Sequence, residues 1–169
     1  TTGPMLSMTA DGRDIGATIS RKSTDPRPIK VAATVQSIEK LESLQIVHNG
    51  LVVATLNLLK REAEPILKET VTWDARPKRS GWVAARALYR APDGLLRQAH
   101  TSPIYVSMDD KPIAFAEDAR YMLRWIQALK DIARSNPDRF PTEEAKQGVL
   151  ADYSEAKVKY EQIIEEAGR

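Results

Sequence analysis

The sequence contains no cysteine, and this absence excludes several classes of chemistry at once. Disulfide bonds, thiolate catalysis and cysteine-ligated metal sites all require a thiol, so none of them can occur within these 169 residues. Aromatic residues are also scarce, at 6% of the chain, which leaves few rings for a binding surface once a core has been packed.

Neither sign of charge dominates the composition, and no long hydrophobic run is present. The chain has 25 Lys and Arg against 23 Asp and Glu, a net charge of +2. The electrostatic field of so small a net charge does not favour the binding of nucleic acid or anionic lipid. No apolar run approaches the roughly 20 residues that cross a bilayer, and no basic stretch with an apolar core predicts a signal peptide in this segment. We therefore expect neither a nucleic-acid nor a membrane partner.

Short strand-like runs separated by turns fill the chain up to about residue 108. The runs cover 5–10, 29–35, 44–48, 51–56, 67–73, 81–89 and 99–106. Asn49 and Gly50 separate two of them and predict a type I′ hairpin, which needs positive φ at both central residues. Five prolines lie between the runs, where a missing N–H costs little: Pro26, Pro28, Pro65, Pro77 and Pro92. Seven or eight such strands predict an antiparallel immunoglobulin-like β-sandwich over 1–108, with its strand order left open.

The hydrophobic period then changes from strand-like to helical. Apolar residues recur at three- and four-residue spacing at Phe115, Ala119, Met122, Ile126, Leu129 and Ala133. Asn136-Pro137 predicts the end of this helix, because the residue before proline avoids helical φ and ψ. A second helix is predicted from Thr142, whose hydroxyl can cap its N-terminus, to a C-terminal cap at Gly168. Its apolar stripe consists of Val149, Tyr153, Ala156, Tyr160 and Ile163.

Two helices with one apolar face each cannot stand alone. We predict a C-terminal two-helix hairpin over 109–169 that packs on the sandwich or on a further domain. The linker at 109–112 is short, so we expect the helices to be docked rather than tethered.

His100 is the histidine most open to a functional interpretation. It could ligate a metal, line a substrate pocket at the junction with another domain, or be a hydrogen-bonded structural histidine. A metal site needs three or four converging ligands, and His48 is the only other histidine, so the structural role is favoured. His48 itself precedes the Asn49-Gly50 turn and is predicted to be a solvated residue at the hairpin tip.

Trp82 and Arg86 lie four residues apart on one predicted strand and therefore share a face. The pair could form a cation–π contact or a platform on which a sugar stacks. The more usual arrangement is a tryptophan in the sandwich core and an arginine paired with a carboxylate at the rim. We predict the core position for Trp82.

Ser80 and Ser102 are the serines that a catalytic interpretation would use. Neither lies in the Gly-x-Ser-x-Gly elbow, and an activated serine also needs an oriented base and an oxyanion hole. Ser102 is two residues from His100 and could share its strand face, so a free-standing hydrolase that uses this pair is the least favoured hypothesis. We predict no catalytic residue and no metal ligand in this sequence.

Two further local patterns have ordinary structural interpretations. The glycine-containing segment at 11–16 lacks the alternating acidic positions and the closing glutamate of a calcium loop, and is predicted to be a turn. The basic residues at 76–79, together with Arg86 and Arg90, are predicted to form a solvated loop or an interdomain contact, because aromatic interleaving is weak.

Five segments occur in a distinctive order: Thr-Thr-Gly-Pro-Met-Leu at 1–6, Val-His-Asn-Gly at 47–50, Ser-Gly-Trp-Val-Ala-Ala-Arg at 80–86, Pro-Asp-Gly at 92–94 and Ala-His-Thr-Ser-Pro-Ile-Tyr-Val at 99–106. In this order they resemble the C-terminal region of the CehA/McbA family of metallohydrolases. The resemblance implies a β-rich domain that follows an N-terminal PHP-type metal-binding domain absent from this sequence. The metal ligands of the family belong to that domain, and no His-x-His or Asp-x-His pair occurs here.

The resemblance implies a non-catalytic accessory domain of a metal-dependent hydrolase, which braces the metal domain, forms one wall of its substrate cleft or mediates a homodimer. His100, Ser102, Trp82 and Arg86 are its candidate cleft or interdomain contacts. The divalent metal, Zn or Mn, is expected only in the metal domain, and an extracytoplasmic location is expected from family habit and the missing cysteines. The alternative is a binding module for carbohydrate or a cell-surface ligand, since sandwiches host unrelated functions.

Overall fold

The computed structural model describes residues 3–60, 65–91 and 93–167. Its strands are β1 (Met5–Ala10), β2 (Arg13–Asp14), β3 (Thr18–Arg21), β4 (Ile29–Ser37), β5 (Leu41–His48), β6 (Leu51–Asn57), β7 (Leu67–Ala75), β8 (Gly81–Arg90), β9 (Leu96–His100) and β10 (Ile104–Met108). Two helices follow, α1 (Ala116–Ser135) and α2 (Glu143–Ala167), with a short 3₁₀ turn at Pro137–Arg139 between them. The residues divide into two compact units, Thr1–Lys111 and Pro112–Arg169.

The strands of the first unit form two sheets that pack face to face. One sheet has the order β2-β1-β4-β7, and the other has the order β3-β10-β8-β5-β6, with β9 also paired to β8. In β4, β8 and β10, alternate residues point into the space between the sheets, as the side-chain period of two requires. In β4, for example, Ile29, Val31, Ala33 and Val35 are buried. The predicted β-sandwich followed by a two-helix hairpin is confirmed.

The core between the sheets takes side chains from both of them. Val31 of the first sheet and Val83 of the second lie in one cluster, and Val35 and Leu44 lie in another. Burial of such side chains contributes about 1.5–3 kcal/mol each, so these clusters are the main favourable term for the sandwich.

The predicted hairpin at Asn49-Gly50 is confirmed. Asn49 has φ of 48° and Gly50 has φ of 83°, the left-handed values that a type I′ turn requires. Part of the predicted turn at 11–16 is present, since Asp11 and Gly12 both have positive φ, but Arg13–Asp14 within it form the short strand β2, which pairs with β1. Pro92, one of the five prolines placed in turns, lies outside the described residues.

Two strand predictions were wrong. The run at 99–106 is not one strand, because β9 ends at His100 and β10 begins at Ile104. The sequence pattern predicts no strand at Thr18–Arg21, yet this segment forms β3 and pairs with β10 in parallel. A parallel pair needs a long crossover, and the pairing of two short segments that lie far apart in the chain leaves no local pattern to detect. All other strand pairs among the described residues are antiparallel.

The second unit is a hairpin of α1 and α2, and the predicted end of α1 and the predicted start of α2 are confirmed. The first helix ends at Ser135, and the backbone N–H of Asn136 donates to the carbonyl of Ile132 at 3.1 Å. The Thr142 hydroxyl accepts the N–H of Ala145 at 3.1 Å, which is the predicted N-terminal cap of α2. Gly168, the predicted C-terminal cap, lies outside the described residues. No helix in the described residues is long and apolar enough to span a membrane.

Candidate functional site

The four residues singled out from the sequence line one groove on the outer face of the second sheet. Trp82 and Arg86 come from β8, His100 ends β9, and Ser102 lies in the segment between β9 and β10. The groove has a volume of about 590 Å³, within the range of small-molecule sites. Its other lining residues are Val47, Ala84, Ala85, Gln98, Thr101, Pro103 and Tyr105.

The groove exists because one side of β8 pairs with two strands in succession. Arg86 lies opposite His100 in β9, and Val83 lies opposite Ile104 in β10. Two residues of β8 between these pairs therefore face three residues, 101–103. An extra residue on one strand is a β-bulge, which bends the strand and redirects side chains. Pro103 has no N–H to donate, which suits the interrupted part of the ladder.

Thr101 holds the bulge in place through two hydrogen bonds to Ala85. The backbone N–H of Thr101 donates to the Ala85 carbonyl at 3.0 Å, and the Ala85 N–H donates to the Thr101 hydroxyl at 3.0 Å. The Thr101 side chain thus replaces the carbonyl that a regular ladder would supply. Thr101 is 6% exposed, so water cannot easily substitute for this hydroxyl.

Trp82 lies on the outer face of the sheet, so the prediction of a core position was wrong. Val83 and Ala85 are the buried residues of this strand, and Trp82 alternates with them as a half-buried side chain. The prediction that Trp82 shares a face with Arg86 is confirmed by the same alternation. Tyr105 of β10 lies directly opposite Trp82 and is 39% exposed, so two aromatic residues form one end of the groove.

Asn49, in the turn that follows β5, holds the backbone of Trp82 in place. The Trp82 N–H donates to Asn49 Oδ1 at 2.8 Å, and the Trp82 carbonyl accepts the Asn49 N–H at 3.1 Å. Gly81 allows this arrangement, because a Cβ at that position would collide with the Asn49 amide. The turn that the sequence predicts thus also positions the aromatic end of the groove.

Replacing Gly81 by alanine is expected to lower the free energy of unfolding by about 1–3 kcal/mol, because the Asn49 amide must leave the part-buried Trp82 N–H. Urea denaturation of the variant would measure the loss. Gly3→Ala serves as the control, since a Cβ at Gly3 has nothing within 4 Å and should change nothing. Equal stability of the two variants would contradict the role given to Gly81.

Arg86 is paired with a neutral side chain rather than with a carboxylate, the more usual partner of an arginine at the rim of a sandwich. Its Nε and Nη2 atoms donate to Gln45 Oε1 at 3.0 and 2.6 Å. Gln45 lies opposite Arg86 in β5 and on the same outer face. Within the described ranges no carboxylate forms an ion pair with Arg86. The groove therefore holds one oriented guanidinium whose positive charge is not neutralised.

His100 and Ser102 do not form a catalytic pair in the described structure. His100 is exposed, and its Nδ1 atom lies 3.3 Å from the carbonyl oxygen of Thr101. No hydrogen bond joins the His100 ring to Ser102 in the described part of the chain. Ser80 is buried and structural, since its hydroxyl donates to the Lys111 carbonyl at 2.7 Å and accepts the N–H of Met108 at 2.9 Å.

His48 is not a solvated tip residue, so that prediction was wrong as well. Its ring centroid lies 5.4 Å from that of Trp73, which belongs to the other sheet. Its Nδ1–H donates to the Trp82 carbonyl at 3.0 Å, and its Nε2 accepts from Asn49 Nδ2 at 3.3 Å. His48 therefore faces the inside of the sandwich, whereas His100 faces the outside. The two imidazoles cannot ligate one metal, and the described residues contain no group of three potential ligands.

Burial lowers the pKa of His48 below its ordinary value of 6.5, despite the opposing hydrogen bond to the Trp82 carbonyl. Between the lowered folded pKa and 6.5, the unfolded chain binds more protons at this residue than the folded chain. His48 therefore stabilises the fold above pH 6.5, and this contribution is lost as the pH falls through its folded pKa.

We expect His48→Asn to have a flatter dependence of unfolding free energy on pH than the unaltered chain. Urea titrations at several values between about pH 5 and pH 8 would test this. His100→Asn is the matched control, because it makes the same replacement at the other histidine, which is exposed on the outer face. An unchanged slope in His48→Asn would contradict the assignment.

The basic segment at 76–79 borders a separate, smaller cavity of about 210 Å³. Most of the cations there have partners. Arg21 pairs with Asp11, Lys22 with Asp110 at 2.6 Å, and Arg27 with Asp25 at 2.8 Å. The Arg76 guanidinium donates to the Pro26 carbonyl. This cavity is lined by an ion-pair network rather than by converging free charges.

Comparisons with known proteins leave the family open. No protein-family model matches the chain. No curated protein matches it. Among solved structures, the chain is similar to the fibronectin(III)-like modules of Clostridium thermocellum CbhA, with 16% sequence identity and a TM-score of 0.35 over 59% of this chain and 94% of that chain. The fold assignment therefore rests on the strand order and register described above.

Proposed function

We propose that this chain is a non-catalytic accessory module of a PHP-type, metal-dependent hydrolase, and that the outer-face groove forms one wall of that enzyme's substrate cleft. The observation that supports the proposal is the convergence of Trp82, Arg86, His100 and Ser102 on one groove. Three of the segments that carry the CehA/McbA resemblance, at 47–50, 80–86 and 99–106, all contribute to it. Of the segment at 1–6, Thr1 and Thr2 lie outside the described residues.

The groove can bind part of a substrate, but its lining residues do not bring a nucleophile into contact with a base. It supplies an aromatic end, a fixed guanidinium and exposed hydrogen-bonding groups at Gln98 and Ser102. Such a surface can orient part of a substrate while the metal domain supplies the Lewis acid and the activated water. The partner in this proposal is the metal domain of the same protein, in an extracytoplasmic compartment.

Hydrolysis of generic phosphoester and carboxylester substrates in the presence of Zn²⁺ or Mn²⁺ tests the proposal. This chain is expected to be inactive, and a version extended upstream by the metal domain is expected to be active. In the extended protein, Arg86→Ala should raise KM with little change in kcat, because the groove contacts substrate away from the reacting bond. Activity of this chain alone that is lost in Ser102→Ala would overturn the proposal.

A second function, carbohydrate binding by the module itself, is favoured by one specific observation. Trp82 and Tyr105 are opposite each other in register on an outer sheet face, next to several neutral hydrogen-bonding side chains. Aromatic faces next to hydroxyl and amide groups suit the apolar face and the hydroxyl rim of a pyranose. Trp73 does not contribute to this surface, because it packs against the core. Affinity electrophoresis in gels that contain soluble polysaccharides would detect such binding.

A further inference from the structure

We propose that the groove selects carbohydrate that carries a carboxylate, a uronic acid, rather than neutral sugar. This inference rests on the second proposed function, that the groove receives carbohydrate. It concerns the chemical class of the ligand, which is set by the one charge in the groove.

The charge balance of the groove supports the inference. Arg86 is the only side chain with a permanent charge among the lining residues, and none of them is Asp or Glu. A half-buried guanidinium without an anionic partner is unfavourable, since desolvation is only partly offset by a neutral acceptor. A bound carboxylate would complete the pair and form charge-assisted hydrogen bonds.

The orientation of Arg86 is fixed before any ligand arrives. Two of its donors, on Nε and Nη2, already contact Gln45 Oε1. The Nη1 atom remains for a ligand. A guanidinium held in this way loses less side-chain entropy on binding than a free one, so its contribution to affinity is larger.

The spacing along β8 separates the two parts of the site. Trp82 and Arg86 are four residues apart, which corresponds to about 13 Å of extended strand. The small side chain of Ala84 lies between them on the same face. One sugar ring can stack on Trp82 while the carboxylate of an adjoining ring reaches Arg86, so we expect an oligomer to bind better than a single uronic acid.

Calorimetric titration with matched oligosaccharides tests the inference. The probes are short homogalacturonan, glucuronan and alginate oligomers. Each is used in its unesterified form, which carries carboxylates at neutral pH, and as its methyl ester, which keeps the sugar and removes the charge. At least one acid is expected to bind about 10- to 100-fold more tightly than its ester. Arg86→Gln should abolish that difference, and Trp82→Ala should weaken both forms by about tenfold.

Arg90→Gln is the matched control, because it removes the same charge from the same strand outside the groove, where Arg90 pairs with Glu42. It should retain the preference for the acid. Equal binding of acids and esters, unaffected by Arg86→Gln, would overturn the carboxylate selection and leave the groove a carbohydrate site. Binding of neither form of any oligomer, or binding that Trp82→Ala does not weaken, would overturn carbohydrate recognition in the groove and this inference with it.

Discussion

Replacing Leu44 by alanine is expected to lower the free energy of unfolding of the sandwich by about 2–5 kcal/mol. Leu44 is fully buried in β5 and packs in the cluster that contains Val35 and Ala87. Truncation removes its transfer free energy and leaves a cavity that residues on two facing sheets cannot easily fill, since packed interiors relax only partly. Chemical denaturation followed by tryptophan fluorescence would measure the loss.

Leu51→Ala is the matched control for this prediction, because it makes the same change in the next strand at a side chain that is 72% exposed. Its expected effect is within about 0.5 kcal/mol of zero. If both variants lost the same amount, Leu44 would not have the core role assigned to it. The neighbouring Gln45 lies on the outer face instead and orients Arg86, so Gln45→Ala should weaken ligand binding in the groove with little loss of stability.

Replacing Thr101 by valine is expected to destabilise the sandwich by about 1–3 kcal/mol and to weaken ligand binding in the groove. Valine has nearly the same shape, but it cannot accept the N–H of Ala85, which then stays buried without a partner. The bulge between β9 and β10 depends on that hydrogen bond, so His100 and Ser102 should lose their positions relative to Trp82.

Thr101→Ser separates the hydroxyl from the shape of the side chain. Serine keeps the acceptor and loses only a methyl group, so the variant should retain most of the stability and the groove. Amide hydrogen exchange at Ala85 gives a direct measurement, because its protection should fall in Thr101→Val and persist in Thr101→Ser. Fast exchange in both variants would show that the methyl group, and not the hydroxyl, holds the bulge.

The helical part of the fold was predictable in detail because its signals are local. A three- and four-residue hydrophobic period, a threonine cap and a proline after Asn136 specify helix position from neighbours in the sequence. The Asn49-Gly50 hairpin is local for the same reason. Its φ values depend on which residues occupy two adjacent positions.

The candidate site was only partly predictable. The sequence indicated the four residues and placed Trp82 and Arg86 on one face, because side-chain alternation along a strand follows from backbone geometry. It could not indicate which face is buried. β8 carries alanine and valine at alternate positions, and these small residues fill the core while the larger tryptophan lies outside.

By itself, the sequence determined the class of the fold, the end of α1, the start of α2, the Asn49-Gly50 hairpin and the absence of thiol chemistry. Only the tertiary structure decided the break at Thr101, the inward position of His48, and the neutral partner of Arg86. These three features depend on contacts between strands and between sheets, not on neighbours in the sequence. The residue pattern of a strand shows only which of its own side chains share a face. Its register and bulges are set by the strand that pairs with it, and its cross-sheet contacts are set by the facing sheet.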